Sequence, residues 1–360
     1  MAGNFWQCSH YLEWLLDRQD VLRYRASDLK ILGSEEEYQK IMIFFADVIQ
    51  AFGKSLEVRQ QVIATATVYF RRFYGRTSLK SIDPWLMAPS CLFLASKVEE
   101  FGVLQPKSLI ASCCKVVNNQ YSKYFKDYSY PYRTHDIFEC EFILMEAMDC
   151  SLIVFHPYRP LLQFCEDLRP QLLNMADELL ERSWGFVNDS LRTDLCLHYP
   201  PYLIALGCIQ LALISLSRNP PANSSGSSND HHSFYFSSQQ SNINPLVIAE
   251  QWFGELNVDP EKVLEVVRHM LALYDLWDRI DVDIEMPVLL MQKMPRPVVQ
   301  QAQQQQQAQS GSSGVIDGSG GGGTNSGGGG GGNNAHHHRM GQAMPPHHLP
   351  PPPNAGPPMA

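Results

Sequence analysis

The stretch LMAPSCLFLASKVEEFG, residues 86–102, is apolar at nearly every position from Leu86 to Val98. It then places Lys97, Glu99 and Glu100 within four residues. A helix that is hydrophobic all round is one wrapped by its neighbours, so this segment predicts the central helix of a bundle. Its charged end is less expected. Lys97 complements the negative end of the helix dipole, whereas Glu99 and Glu100 oppose it at a cost of about 0.3–1 kcal/mol each. Solvation is the usual fate of such carboxylates, but the cost marks them as candidates for a further role.

The same style recurs downstream. LKSIDPWLMAPSCLFLAS (79–96) resembles LRTDLCLHYPPYLIALGC (191–208), and laying Pro89 on Pro201 gives an offset of 201 − 89 = 112 residues. In both, a polar turn precedes an apolar helix. Around the first, Ser34 and Glu37 have capping-box spacing, and Tyr38 to Phe52 is apolar at helical spacing, with Gly53 expected to close the helix. Further helices are expected over 58–73, from Asp83-Pro84, and over 106–117 and 132–148. Around the second they are expected over 157–167, 172–191 and 199–216, and from Asp259-Pro260. Alternating strand-like runs are missing from this pattern. The expected fold is all-α, two five-helix bundles in tandem. Tyr202 to Leu216 is shorter than the roughly 20 residues of a membrane span and carries Gln210, so it reads as a core helix.

Composition separates the folded part from the rest. From Pro295 onward the chain is a run of Gln, Gly, His and Pro, and 219–244 is rich in Ser, Asn and His. Neither can bury enough apolar area to offset its ordering entropy, so disorder is expected in both. Gly318, Gly320 and Gly323 match a nucleotide-binding spacing but have no strand before them and no helix after. The net charge of −9 argues against a surface for nucleic acid or anionic lipid. Nine cysteines without a Cys-x-x-Cys, and no secretory signal, predict reduced thiols packed as small hydrophobes.

The segment MAPSCLFLASKVEEFG resembles the signature of the cyclin box, and tandem five-helix repeats belong to the cyclin family. NFWQCSHYLEWLLDRQD (4–20), RQQVIATATVYFRRF (59–73), SLKSIDP (78–84), LIVFHPYRPLLQ (152–163) and NDSLRTDLCLHYPP (188–201) are similar to the transcriptional cyclins of the Mediator kinase module. The resemblance implies an N-terminal helix over 1–33, a first cyclin box over 34–150, and a second over 151–294 carrying the 219–244 insertion. A disordered tail over 295–360 completes the chain. It implies a nuclear, non-catalytic activator of the Mediator-associated cyclin-dependent kinase, regulating RNA polymerase II transcription, with no cofactor and no metal. An alternative on the same fold is a DNA-binding factor like general transcription factor IIB, which would need a basic face.

By the same resemblance, Lys97 pairs with a glutamate of the fifth helix, Glu141 by alignment of EFILMEAMDCSL, with Glu139 as fallback. The pair would hold the kinase's mobile helix inward and so complete the kinase's own ion pair. Glu99 and Glu100 would meet arginines on that helix. The hydrophobic patch with which cell-cycle cyclins dock substrates is replaced here by Val58-Arg59-Gln60-Gln61-Val62, with Thr65 where that patch has Trp. Arg71 stands where the family has an Asp paired with the motif arginine, so Arg59 must find another partner or face water.

A second site is suggested by Asn188 and Asp189, which interrupt the apolar stretch GFVNDSL mid-helix with poor helix formers. They either form an internal hydrogen-bonding pair before Arg192 or, by the resemblance, line a groove with Trp6 and Tyr274 for the activating kinase-module subunit. As an enzyme, the chain would offer His135-Asp136 for a metal phosphohydrolase. The only upstream histidine is His10, on the appended N-terminal segment, so the constellation is incomplete.

Overall fold

The computed structural model describes residues 4–125, 130–172, 175–218 and 245–293. The 219–244 insertion and the 295–360 tail lie outside the described residues. Helix α1 (Arg18–Leu32) follows two short turns, Phe5–Gln7 and Ser9–Leu12. The first five-helix set is α2 (Glu35–Ser55), α3 (Gln60–Arg76), α4 (Pro84–Val98), α5 (Pro106–Val116) and α6 (Thr134–Ala147). The second is α7 (Tyr158–Leu172), α8 (Ala176–Ser190), α9 (Pro201–Arg218), α10 (Pro245–Glu255) and α11 (Pro260–Asp278). Among the described residues there is no strand.

Capping chemistry sets several starts. Ser34 accepts from the Glu37 amide, Asp83 from Trp85 and Asp259 from Glu261, with Pro84 and Pro260 at the first helical positions. The Glu37 carboxylate itself is taken by Lys293 Nζ at 2.6 and 2.7 Å. Helix α4 is surrounded by α2, α3, α5 and α6, and α9 by α7, α8, α10 and α11. Both are therefore the central helices their composition demands. Although α9 is long and apolar enough to cross a membrane, most of its surface is buried in the second bundle.

Three expectations need correction. Helix α2 runs past Gly53 to Ser55, and Gly53 is not in a left-handed conformation. Its role is closeness: a Cβ there would meet Ile63 Cγ1 at 2.5 Å, so glycine lets α3 approach α2. The Pro89–Pro201 register is also out of step. Pro201 opens α9, whereas Pro89 is the sixth residue of α4, so Pro84 is the true counterpart. Lastly, Asn188 and Asp189 occupy the final turn of α8 rather than its middle, where helix propensity matters least.

The two bundles are joined by a buried ionic hub that sequence reasoning missed. Asp194, in the turn before the short helix Leu195–His198, takes a two-pronged contact from Arg25 of α1, at 2.7 and 3.0 Å. Arg71 of α3 adds a bond at 2.8 Å and Gln39 of α2 one at 2.6 Å. Burial alone would raise the Asp194 carboxyl, but the two guanidinium groups hold it far below the usual carboxylate range. Arg71, unexpected as a replacement for Asp, thus ties the first bundle to the second. It also donates through Nε to the Leu191 carbonyl at 2.9 Å. Arg59 is left exposed, its guanidinium 5.7 Å from the Phe101 ring centroid.

Candidate partner-binding surface

The end of α4 and one face of α6 form the most distinctive surface. Helix α6 turns Ile137, Cys140 and Leu144 into the core, and Glu141 falls on the same stripe. A carboxylate there cannot stay unpaired. Lys97 Nζ donates to both of its oxygens, at 2.7 and 2.8 Å, while lying 4.0 Å from the Phe93 ring centroid. The side chain of Glu141 is 7% exposed and that of Lys97 is 35% exposed, so the cation presents the pair to solvent. Glu139 is exposed and lies 3.4 Å from His135 Nδ1, while Lys97 is taken by Glu141.

Glu99 and Glu100 diverge in environment. Glu99 caps α4 and spends both oxygens within the chain. One accepts from the Thr65 hydroxyl and the other from the Gln61 amide, each at 2.5 Å. Burial raises the Glu99 carboxyl, and the two hydrogen bonds partly offset this. Thr65 also lies 2.7 Å from His156 Nε2, so the place of the docking-patch Trp is filled by a polar network joining α3, α4 and the linker between bundles. Glu100, exposed and with φ at +50°, is the freer carboxylate.

Around the ion pair lies an apolar rim that the sequence reading did not name. Phe138 is 40% exposed and packs tilted against Phe93 with ring centroids 5.7 Å apart, and Phe142, one turn on, is 68% exposed. Ile143 beside it is also exposed. The usable signal was the spacing: Phe138 and Phe142 fall off the buried stripe of α6, where polar residues would be ordinary. A fixed charge pair set among exposed aromatics has the composition of an interface anchor.

The second expected site is only partly assembled. Tyr274 donates its hydroxyl to Asp189 at 2.8 Å, and Arg192 holds the other Asp189 oxygen at 3.2 Å. Asn188 accepts from Tyr158 at 2.7 Å and from Gln60 at 3.3 Å. Burial first, and Asp189 next, push the Tyr274 phenol far up. Asn188 and Asp189 are each satisfied within the chain by different partners, which favours an internal hydrogen-bonding role, although the two are not bonded to each other. Trp6 is 52% exposed and its ring neighbours are Phe5, Tyr11 and Tyr202. No ring contact or hydrogen bond among the described residues brings it to Asn188, Asp189 or Tyr274.

His135, Asp136 and Glu139 share an exposed turn with ligand atoms within 4.8 Å of one another. His10 does not join them. It is buried against Phe5 and Phe155, accepts from the Phe155 amide at 3.0 Å, and is held neutral by burial and by Arg72, its pKa lowered to about 3.

Comparison with known proteins bears on this architecture. The Cyclin, N-terminal domain profile matches residues 16–153, and the Cyclin C-terminal domain profile matches 156–275. The chain belongs to the cyclin family. It is 51% identical to Cyclin-C of Rattus norvegicus, over 82% of this chain and 92% of that one. It is 49% identical to Cyclin-C of Drosophila melanogaster and 33% identical to Cyclin-C of Caenorhabditis elegans, over 98% and 94% of those chains and 82% of this cyclin. Among solved structures, a chain of the yeast TFIIK (Kin28/Ccl1/Tfb3) complex superposes with a TM-score of 0.51 at 21% identity, covering 75% of this cyclin and 99% of that chain. A chain of the Chaetomium thermophilum CAK complex bound to ATP-gamma-S superposes with a TM-score of 0.54 at 19% identity, covering 88% and 98%. At these identities the structural likeness concerns the fold.

Proposed function

We propose that this cyclin is a non-catalytic regulatory subunit that binds and activates a cyclin-dependent kinase acting in RNA polymerase II transcription, the kinase of the Mediator kinase module. Its work would lie in the nucleus, with residues 34–150 and 151–294 as its two boxes. The observation that carries the reading is the Lys97–Glu141 pair, anchored in the core on one side and ringed by exposed Phe138 and Phe142 on the other. A mobile kinase helix pressed on this face would meet a charge that cannot shift and apolar area that gains from burial. Glu100 supplies a carboxylate for an arginine of that helix. Glu99, bonded internally, positions the end of α4 instead. The kinship with Cyclin-C proteins supports the choice of a transcriptional kinase. We assign contact with the activating subunit of the module to the exposed Trp6 and, as a separate patch, to Asn188, Asp189 and Tyr274.

The test is a pull-down of the kinase with Phe142→Ala, Lys97→Ala and the wild-type chain. Loss of kinase capture by both variants, with the melting temperature of Phe142→Ala unchanged, is the expected result. Full capture by Phe142→Ala would refute the placement of the interface.

A further inference from the structure

A cavity of about 180 Å³ opens between α1, α2, the Asp194 turn and α11. Its walls are apolar, built from Val21, Leu22, Ile43, Leu273 and Leu276, and Leu22 is partly exposed at the lip. Its polar side includes Arg25 and Glu35, and here two buried atoms are unpartnered, Arg25 Nε and Glu35 Oε2. Arg25 is fully buried, and its other nitrogens are spent on Asp194 and on the second Glu35 oxygen. His198 and His269 also line the space. Their Nδ1 atoms donate to the Leu16 and Glu265 carbonyls, at 3.0 and 2.8 Å. The cavity therefore has apolar walls, a buried carboxylate oxygen without a donor, and a buried guanidinium N–H without an acceptor, both of which a hydroxyl can meet.

These features select the occupant. An anionic tip would face Glu35 and Asp194, and a cationic tip would face Arg18, Arg25 and Arg192. A purely aliphatic side chain would leave Glu35 Oε2 buried and unpaired. What remains is a neutral hydrogen-bond donor on an apolar body. We propose that this cavity is an anchor pocket for a tyrosine side chain of a partner protein, its ring between α1 and α11 and its hydroxyl donating to Glu35 Oε2. The pocket spans the N-terminal helix and both boxes, so an occupant would engage all three at once. The proposal is independent of the kinase reading, which concerns α4 and α6.

The experiment titrates p-cresol, the tyrosine side-chain analogue, and toluene into the full-length chain with methyl-labelled Ile, Leu and Val, read by heteronuclear NMR. The expected result is shifts concentrated at Ile43, Leu273 and Leu276, with p-cresol binding about tenfold tighter than toluene, the worth of one net hydrogen bond. Ala272 lines the cavity from the exposed side of α11, so Ala272→Phe should fill the space without disturbing the core and abolish the shifts. Equal affinity for toluene, shifts mapping elsewhere, or unchanged binding to Ala272→Phe would each overturn the assignment. Tighter binding of indole than of p-cresol would overturn the choice of tyrosine. Kinase capture by Ala272→Phe should match wild type, so a failure here leaves the α4–α6 reading untouched.

Discussion

Replacing Asp194 by Asn keeps the shape of the inter-box hub and removes the carboxylate shared by Arg25 and Arg71. Arg25 and Arg71 have side chains 2% and 1% exposed, so neither can turn to solvent for compensation. Gln39 adds a fourth hydrogen bond that an amide oxygen could still accept. Arg25 keeps one contact to Glu35 at 3.1 Å, whereas Arg71 keeps only the Leu191 carbonyl. Breaking a buried pair by removing one partner costs about 3–5 kcal/mol. At about 2–4 °C per kcal/mol for a unit of this size, the melting temperature should fall by roughly 6–20 °C. The pH dependence carries a second signature. The folded Asp194 carboxyl lies below its ordinary value of 3.8, so its contribution is complete above that pH and is lost as pH falls toward the folded value. Calorimetric melts of wild type and Asp194→Asn between pH 7 and pH 3 measure both effects. The gap between them should be largest at neutral pH and should narrow below about pH 4. A gap under about 1 kcal/mol at pH 7 would refute the hub as the tie between boxes.

Two further outcomes are expected. In Gly207→Ala the new methyl would meet Val266 Cγ1 at 2.5 Å and Cβ at 2.9 Å, and because β-branched valine cannot rotate clear, α9 and α11 must part. Denaturant titration should show a loss of about 1–3 kcal/mol. His156 is buried beside Arg72, and burial first and that charge second lower its pKa from 6.5 to about 4. The unfolded chain therefore takes up a proton that the folded chain refuses, and stability should fall as pH drops from about 6.5 to 4. His156→Gln should make that limb shallower in pH-dependent melts without removing it, because His10, also held neutral, contributes in the same direction.

Much of the fold was legible because its signals are local. Apolar periodicity, Asp-Pro starts and the two all-apolar segments need only neighbours in sequence, and α4 and α9 follow from them. Glu141 was legible by resemblance, and its position on the buried stripe of α6 gives the physical reason. What escaped was set by distance along the chain. Nothing in the residues around Arg25, Arg71 or Asp194 says that they converge, since Arg25 and Asp194 are 169 positions apart. Phe138 and Phe142 escaped because periodicity identifies an apolar residue as core by default. Gly53 and Pro89 misled for a related reason. A glycine near a helix end and a proline near a helix start carry the same letters whether they terminate, open or pack the helix, and only the neighbouring helix decides.

The Lys97–Glu141 pair makes little sense as a stabilising device. Taking a carboxylate into the α6 core costs several kcal/mol of solvation, and well-packed apolar residues in place of such a pair are often as stable or more so. The carboxylate is taken up on α6, against α4, whose remaining faces are packed by α2, α3 and α5. That rigidity is also what the Asp194 hub extends across the boundary to the second box. Under the proposed function, an ion pair that gains the fold little is kept for a partner outside. Its cation faces outward, beside two phenylalanines that the described residues leave exposed.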